Sequence, residues 1–288
     1  MSPFQIKTVQ CLSPAGLHNM AYKEWGDPKN PAVLLCVHGV TRVSDDFDAL
    51  AAVMSDRYRV ICPDVVGRGR SSWLANPLGY QLPQYVSDMV TLIARLDVAQ
   101  IDWFGTSMGG LIGMGVAALK DHPIRKMLLN DIGPTINYAA LMRIAEYMGK
   151  EVRFPTFEAG VDYIRTIAAP FGPHSDEQWH KLAGDVLREQ KDGQWIRHYD
   201  PALALAFSSF TEESAAQSEA ALWAIYDAIQ CPVLLVRGNE SDLLSRETAD
   251  LMTQRGPRAA LTELAGIGHA PTFMQPEQIA LARDFFIA

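Results

Sequence analysis

Cysteine is scarce in this 288-residue chain: only Cys11, Cys36, Cys62 and Cys231 occur, far apart and with no C-x-x-C spacing. That pattern argues against a disulfide framework and against a thiolate metal site, and three of the four sit in or beside apolar runs, as small core residues of a reducing compartment do. No run approaches the roughly 18 apolar residues that a membrane-spanning helix needs, and Met1–Lys7 has no basic segment leading into an apolar one. The expectation is a cytoplasmic protein, neither secreted nor membrane-embedded. Positive charge is also short, with 25 Lys and Arg against 33 Asp and Glu, a net charge of −8 and no dense basic run, so nucleic acid is not an expected partner. H-E-x-x-H, paired Cys/His clusters, acid-rich calcium loops and G-x-x-x-x-G-K-[ST] are all missing, and neither a metal nor a cofactor is expected.

What is present is an ordinary globular composition, 48% hydrophobic and 20% charged, with no repeat or flexible linker. Short Val, Leu and Ile runs alternate with amphipathic stretches, which predicts an α/β protein with a largely parallel sheet covered by helices on both faces. Phe4 to Val9 and His18 to Trp25 read as an antiparallel hairpin turning around Ser13-Pro14-Ala15-Gly16. Further strands are expected at 32–37, 58–62, 101–104, 126–130, 232–237 and 261–264. Helices are expected at 47–54, 82–96, 108–120, 221–229, 247–254 and 277–286. From about Pro134 to Ala220 the alternation stops. No convincing strand is visible there, and helical periodicity at 138–149, 157–167 and 176–190 predicts a helical insertion between two strands.

The most informative segment is Ile101-Asp102-Trp103-Phe104-Gly105-Thr106-Ser107-Met108-Gly109-Gly110, a strand-like run entering G-x-S-x-G and continuing into a helix. A serine on so sharp a turn presents its hydroxyl beyond the sheet edge, glycines at 105 and 109 avoid clashes, and the helix N-terminus aims N–H groups at developing negative charge. A nucleophilic serine needs a base, and the base an orienting acid. His269 lies in Gly266-Ile267-Gly268-His269-Ala270-Pro271, a loop directly after the last strand, whereas His122, His174, His180 and His198 occupy helical or polar contexts and His18 an edge strand. Asp242, just past the strand at 232–237, is the preferred acid; Glu240 and the strand-end Asp131 compete with it. The Val37-His38-Gly39-Val40 turn follows another buried strand, so the N–H groups of Val40 and Met108 form a candidate oxyanion hole, with His38 itself structural. Arg68 and Arg70, in the turn-rich 64–71 loop, are read as structural, and Gly110, Gly113 and Gly115 as close helix packing rather than a dinucleotide motif.

Together, His38-Gly39, Asp64 to Ser71, Gly105 to Gly109, Asp242 and His269, in the order serine, acid, histidine, resemble the α/β-hydrolase fold superfamily across nearly the whole chain. The resemblance implies an eight-stranded mostly parallel sheet built from 1–133 and 221–288, with 134–220 as a helical cap. It implies Ser107 as nucleophile, His269 as general base and then acid, Asp242 as its orienting partner, and Val40 and Met108 as oxyanion donors. Serine at the elbow separates the chain from the dehalogenase and epoxide-hydrolase branches and places it near cap-bearing esterases, lactonases and carbon–carbon bond hydrolases. The expected activity is hydrolysis of a small to medium, largely apolar ester or lactone through an acyl-enzyme. Cleavage of ring-fission diketones, cofactor-free peroxide chemistry and a non-catalytic small-molecule binding role are the alternatives.

Overall fold

In a computed structural model, which describes residues 3–148, 150–208 and 211–288, all eight expected strands join one sheet. β1 (Phe4–Ser13) and β2 (Gly16–Trp25) form the antiparallel hairpin at one edge, longer than expected, and β2 also runs antiparallel to the strand Arg59–Pro63. β3 (Val33–Val37), α1 (Asp48–Met54), β4 (Arg59–Pro63), α2 (Leu82–Leu96), β5 (Ile101–Thr106), α3 (Met108–Ala117) and β6 (Ile124–Asn130) follow in order. After an excursion that begins beyond β6, the chain returns through β10 (Val233–Gly238), α9 (Arg246–Met252), β11 (Ala260–Leu264) and α10 (Pro276–Ile287). The spatial order is β1-β2-β4-β3-β5-β6-β10-β11.

Every residue of β3 is buried, because helices cover both faces of the sheet. Strand alternation sends Val33, Leu35 and Val37 into one apolar core and Leu34 and Cys36 into the other. All four cysteines are buried free thiols. The chain runs from β3 outward to β4 and then crosses back to β5 on the other side of β3. A crevice opens at such a reversal beyond the carboxyl ends of the strands. Val37 pairs with Gly105, so the residues that leave β3 run alongside those that leave β5.

The excursion comprises α4 (Tyr138–Met148), β7 (Arg153–Phe154), α5 (Phe157–Ile167), α6 (Asp176–Val186), β8 (Leu187–Glu189), β9 (Trp195–Arg197), α7 (Leu205–Ser208) and α8 (Glu212–Asp227). Gly149, the expected end of its first helix, lies outside the described residues. Two features depart from expectation. The stretch 176–190 leaves helix at Val186, and β8 pairs with β9, itself paired with β7, in a small antiparallel sheet where no strand was foreseen. Strands of two or three residues are too short to carry a period of two. The helix expected from Ala221 starts at Glu212, where Thr211 and Ser214 form a reciprocal capping pair. Its far end puts Trp223 and Tyr226 into the main core, so α8 packs on the sheet layer. Phe154, Val161, Ile164, Trp179, Leu182 and Val186 make a separate core of the excursion, joined from the sheet side by Val43.

His38 ties the strand ends together. Its Nε2 accepts the Val65 N–H at 2.9 Å, which leaves Nδ1 as the protonated nitrogen that donates to the Gly39 carbonyl at 2.7 Å. Burial holds this imidazole below its ordinary value of 6.5, although Asp64 pulls the other way. Because the folded-state value is depressed, the stabilisation is complete above about pH 6.5 and is lost as the pH falls below it, with a limiting slope of about 1.4 kcal/mol per pH unit for one such group. Thermal denaturation between pH 8 and 5 is expected to show Tm falling below pH 6.5, and His38→Gln, though less stable at pH 8, is expected to show a shallower fall. An unchanged slope in the variant would remove His38 from the explanation.

Candidate active site

Ser107 occupies the single residue between β5 and α3, at φ 51° and ψ −118°, a conformation that non-glycine residues rarely adopt. Two glycines make the turn possible by close approach. A Cβ on Gly105 would lie 2.4 Å from the Gly109 carbonyl oxygen, and one on Gly109 would lie 2.0 Å from that of Val37. The Ser107 N–H donates to the carbonyl of Asn130 at 3.0 Å, which fixes the elbow against the end of β6.

His269, on the loop after β11, meets the serine: Nε2 is 2.9 Å from Ser107 Oγ. Its Nδ1 is 2.8 Å from Oδ2 of Asp131, not of Asp242. Asp131 is the residue directly after β6, completely buried, with φ 55°. Its carboxylate also accepts the Gly238 N–H at 2.9 Å and the Ser241 hydroxyl at 2.6 Å, so three donors replace the water it has lost. Asp242 is half exposed and pairs with Arg143 of α4. The expectation of Asp242 as the orienting acid is therefore corrected. The loop after β10 does contribute to the site, but through Gly238 and Ser241, which hold the acid. The Glu240 carboxylate makes no hydrogen bond to His269, whose ring nitrogens meet Asp131 and Ser107.

Asn130 was missed in the sequence, and its side chain donates both to Thr106 Oγ1 at 3.0 Å and to the Pro271 carbonyl at 2.8 Å, joining the elbow to the histidine loop. Met108 is the first residue of α3, so its N–H has no carbonyl of its own helix to pair with. Arg68 is fully buried and links both candidate oxyanion residues: Nε donates to the Val40 carbonyl at 2.9 Å, and Nη2 lies 3.4 Å from Met108 Sδ. Its Nη1 donates to the Val66 carbonyl and to the Tyr85 hydroxyl. These contacts agree with a structural reading of Arg68, and they bear directly on the site.

Two cavities meet at Ser107. The larger, about 470 Å³, is lined by Val40, Met108, Leu111, Ile136, Leu141 and Leu243 among others, and is mostly apolar. The smaller, about 80 Å³, contains His269 together with Arg42, Arg143, Arg197, Tyr147 and Tyr199. No histidine other than His269 lines either one. Among the described residues, the one group with the spacing of metal ligands is Cys11, His18 and Asp88, buried between the hairpin and α2. Burial pushes the Cys11 thiol up to about 12, and a protonated thiol is a poor ligand. His18 Nε2 is already engaged by Asp88 at 2.9 Å.

Comparison with known proteins is consistent with this geometry. The sequence model of the alpha/beta hydrolase family matches residues 34–282. The 3-hydroxybutyrate-oligomer hydrolase of Cupriavidus necator is 57% identical over an alignment of 281 residues that covers 96% of each chain. Among solved structures, a chain from Rickettsia typhi superposes with a TM-score of 0.89 at 30% identity, covering 98% of this chain and 99% of its own. An alpha/beta hydrolase from Novosphingobium aromaticivorans gives 0.87 at 31%, covering 100% and 99%.

Two outcomes are expected from substitution. With p-nitrophenyl butyrate as substrate, Asp131→Asn is expected to lower kcat on the order of 10⁴-fold, because the amide favours the wrong histidine tautomer, while Asp242→Asn changes it by less than about fivefold. The reverse order would return the acid to Asp242. Arg68→Lys, which cannot reach four partners from one ammonium, is expected to lower kcat on the order of 10²-fold with little change in KM, the signature of a displaced oxyanion donor. An equal rise in KM at constant kcat would contradict that role.

Proposed function

The chain belongs to the alpha/beta hydrolase family and is an esterase-like hydrolase, and from that premise we propose that it cleaves short linear esters of hydroxy acids, 3-hydroxybutyrate oligomers first among them, through an acyl-enzyme on Ser107. The observation that carries the chemistry is the chain of contacts from Ser107 through His269 to Asp131, at 2.9 and 2.8 Å, at the meeting point of the two cavities. The substrate class is supported by 57% identity to a hydrolase of that name across nearly the full length of both proteins. Family membership together with that relative leaves no support for a non-catalytic binding role. On this reading the expected apolar ester or lactone is a linear hydroxyacyl ester.

The mechanism follows from the positions of the protons. Ser107 Oγ attacks the ester carbonyl as its proton passes to His269 Nε2, and the buried Asp131 carboxylate, accepting from Nδ1, favours the imidazolium that forms. The carbonyl oxygen gains negative charge against the N–H groups of Val40 and Met108, each such donor contributing roughly 3–4 kcal/mol in the transition state. The tetrahedral intermediate collapses, the carbon–oxygen bond breaks, and His269 returns the proton to the leaving alkoxide. Water then gives a proton to His269, attacks the acyl carbonyl and releases the acid, and Ser107 regains its hydrogen. The part of the excursion that holds α4 to α6 acts as the lid over these steps, since Arg143, Ile144 and Tyr147 of α4 and Ile164 of α5 line the smaller cavity. Residues from both layers exclude bulk water and strengthen the electrostatic contacts inside.

Incubation with the dimer and trimer of 3-hydroxybutyrate is expected to release free 3-hydroxybutyrate, measured by chromatography, and Ser107→Ala is expected to lower kcat by at least about 10⁴-fold with its fold intact. Hydrolysis of p-nitrophenyl butyrate without turnover of either oligomer would overturn the substrate class. Full activity in Ser107→Ala would overturn the acyl-enzyme.

A further inference from the structure

Of the three arginines that line the smaller cavity, two are already neutralised: Arg42 forks onto Asp46 and reaches the Leu182 carbonyl, and Arg143 pairs with Asp242. Arg197, at the end of β9, has no carboxylate partner among the described residues. Its Nη2 donates to the backbone carbonyls of Tyr147 and Lys150, both at 2.6 Å, and its guanidinium lies 5.5 Å from the Tyr163 ring and 5.1 Å from the Tyr199 ring. Its Nη1 is buried and has no hydrogen-bond partner among the described residues. A buried guanidinium donor left open is costly unless a ligand completes it.

The position of this arginine is fixed to the sheet. Tyr199 bridges to Arg68, the Asp200 N–H donates to the Gly67 carbonyl at 2.8 Å, and the Asp200 carboxylate accepts from the Tyr80 hydroxyl. The two cavities are also chemically unlike. Ser107 and Val40 line both; the smaller alone holds His269, the group that protonates the leaving alkoxide, and the larger alone holds Met108 with the apolar Leu111, Leu141 and Leu243. The leaving group therefore belongs on the arginine side and the acyl chain in the larger, apolar space.

We propose that Arg197 is the carboxylate anchor of the leaving-group subsite, so that the substrate is an ester whose departing alcohol is a short hydroxy acid with a free carboxylate, cut one unit at a time from the carboxyl end. The inference rests on the reading of the protein as a hydroxyacyl ester hydrolase and adds polarity to it. In each cycle the ester bond nearest the carboxylate breaks, the terminal hydroxy acid leaves with the proton from His269, and the rest of the chain stays on Ser107. Water then frees that remainder as a shorter oligomer with a new carboxylate, ready for the next cycle. The size difference between the cavities, about 80 against 470 Å³, suits release of a single unit from a longer acyl chain.

The test compares kcat/KM for the 3-hydroxybutyrate trimer as free acid and as its carboxyl methyl ester. The wild type is expected to prefer the free acid by about 10- to 150-fold, the range for a hydrogen bond to a charged group, and Arg197→Gln is expected to reduce that preference to near unity, mainly through KM. Rapid quenching with a trimer carrying ¹³C in its carboxyl-terminal unit is expected to trap an unlabelled two-unit acyl group on Ser107, a result that needs no variant. Equal rates on acid and methyl ester in the wild type, or a one-unit adduct with a labelled dimer released, would overturn the proposal and leave the substrate class standing. No turnover of either trimer, with p-nitrophenyl butyrate still hydrolysed, would overturn both.

Discussion

A single buried carboxylate organises the site. Asp131 has lost all contact with water, and its two oxygens are held by the Gly238 N–H, the Ser241 hydroxyl and His269 Nδ1. Those donors come from the last residue of β10 and from the loops after β10 and β11, while Asp131 directly follows β6, so the carboxylate is also the point at which three neighbouring connections are drawn together. Orphaning any one of its partners leaves a polar group without solvent to replace it. Ser107 depends on this arrangement at one remove, because the residue before Asp131, Asn130, holds the serine N–H through its carbonyl and the histidine loop through its side chain.

The layered α/β fold was legible because buried parallel strands write themselves as short, unbroken apolar runs between helices, and the six such runs became parallel strands of the sheet, with the expected antiparallel hairpin at its edge. The sequence was far less informative in the excursion. Leu187-Arg188-Glu189 continues a helical composition yet forms a strand, because pairing with Trp195–Arg197 satisfies its backbone where Val186 ends the helix. Glu212 to Ala220 looked like part of the insertion, but its helix continues into Trp223 and Tyr226, whose burial decides where that element packs.

At the site, Ser107 and His269 were recognisable from local context alone, a strand-to-helix glycine turn and a glycine-flanked loop. The choice between Asp131 and Asp242 was not, since both follow a strand of the same sheet at the same edge. Backbone direction decides it: the positive φ at Asp131 turns the carboxylate under the histidine, while Asp242 lies four residues beyond its strand, at the surface beside Arg143. A signal did exist in the Asn130-Asp131 pair placed immediately at a strand end, where a side chain has little freedom to wander. Arg197 carried no signal at all. Its meaning comes from its surroundings, and the absence of a carboxylate partner among the described residues is visible only in three dimensions.

The most direct measurement is a crystal structure of the protein after reaction with a small alkyl fluorophosphonate. The expected result is a phosphorus–oxygen bond to Ser107, a phosphonyl oxygen within hydrogen-bonding distance of the Val40 and Met108 N–H groups, and His269 still joined to Asp131. A His269 ring swung toward Asp242, or an adduct whose oxygen points away from both N–H groups, would contradict the assignment of Asp131 as the carboxylate on which the site is built.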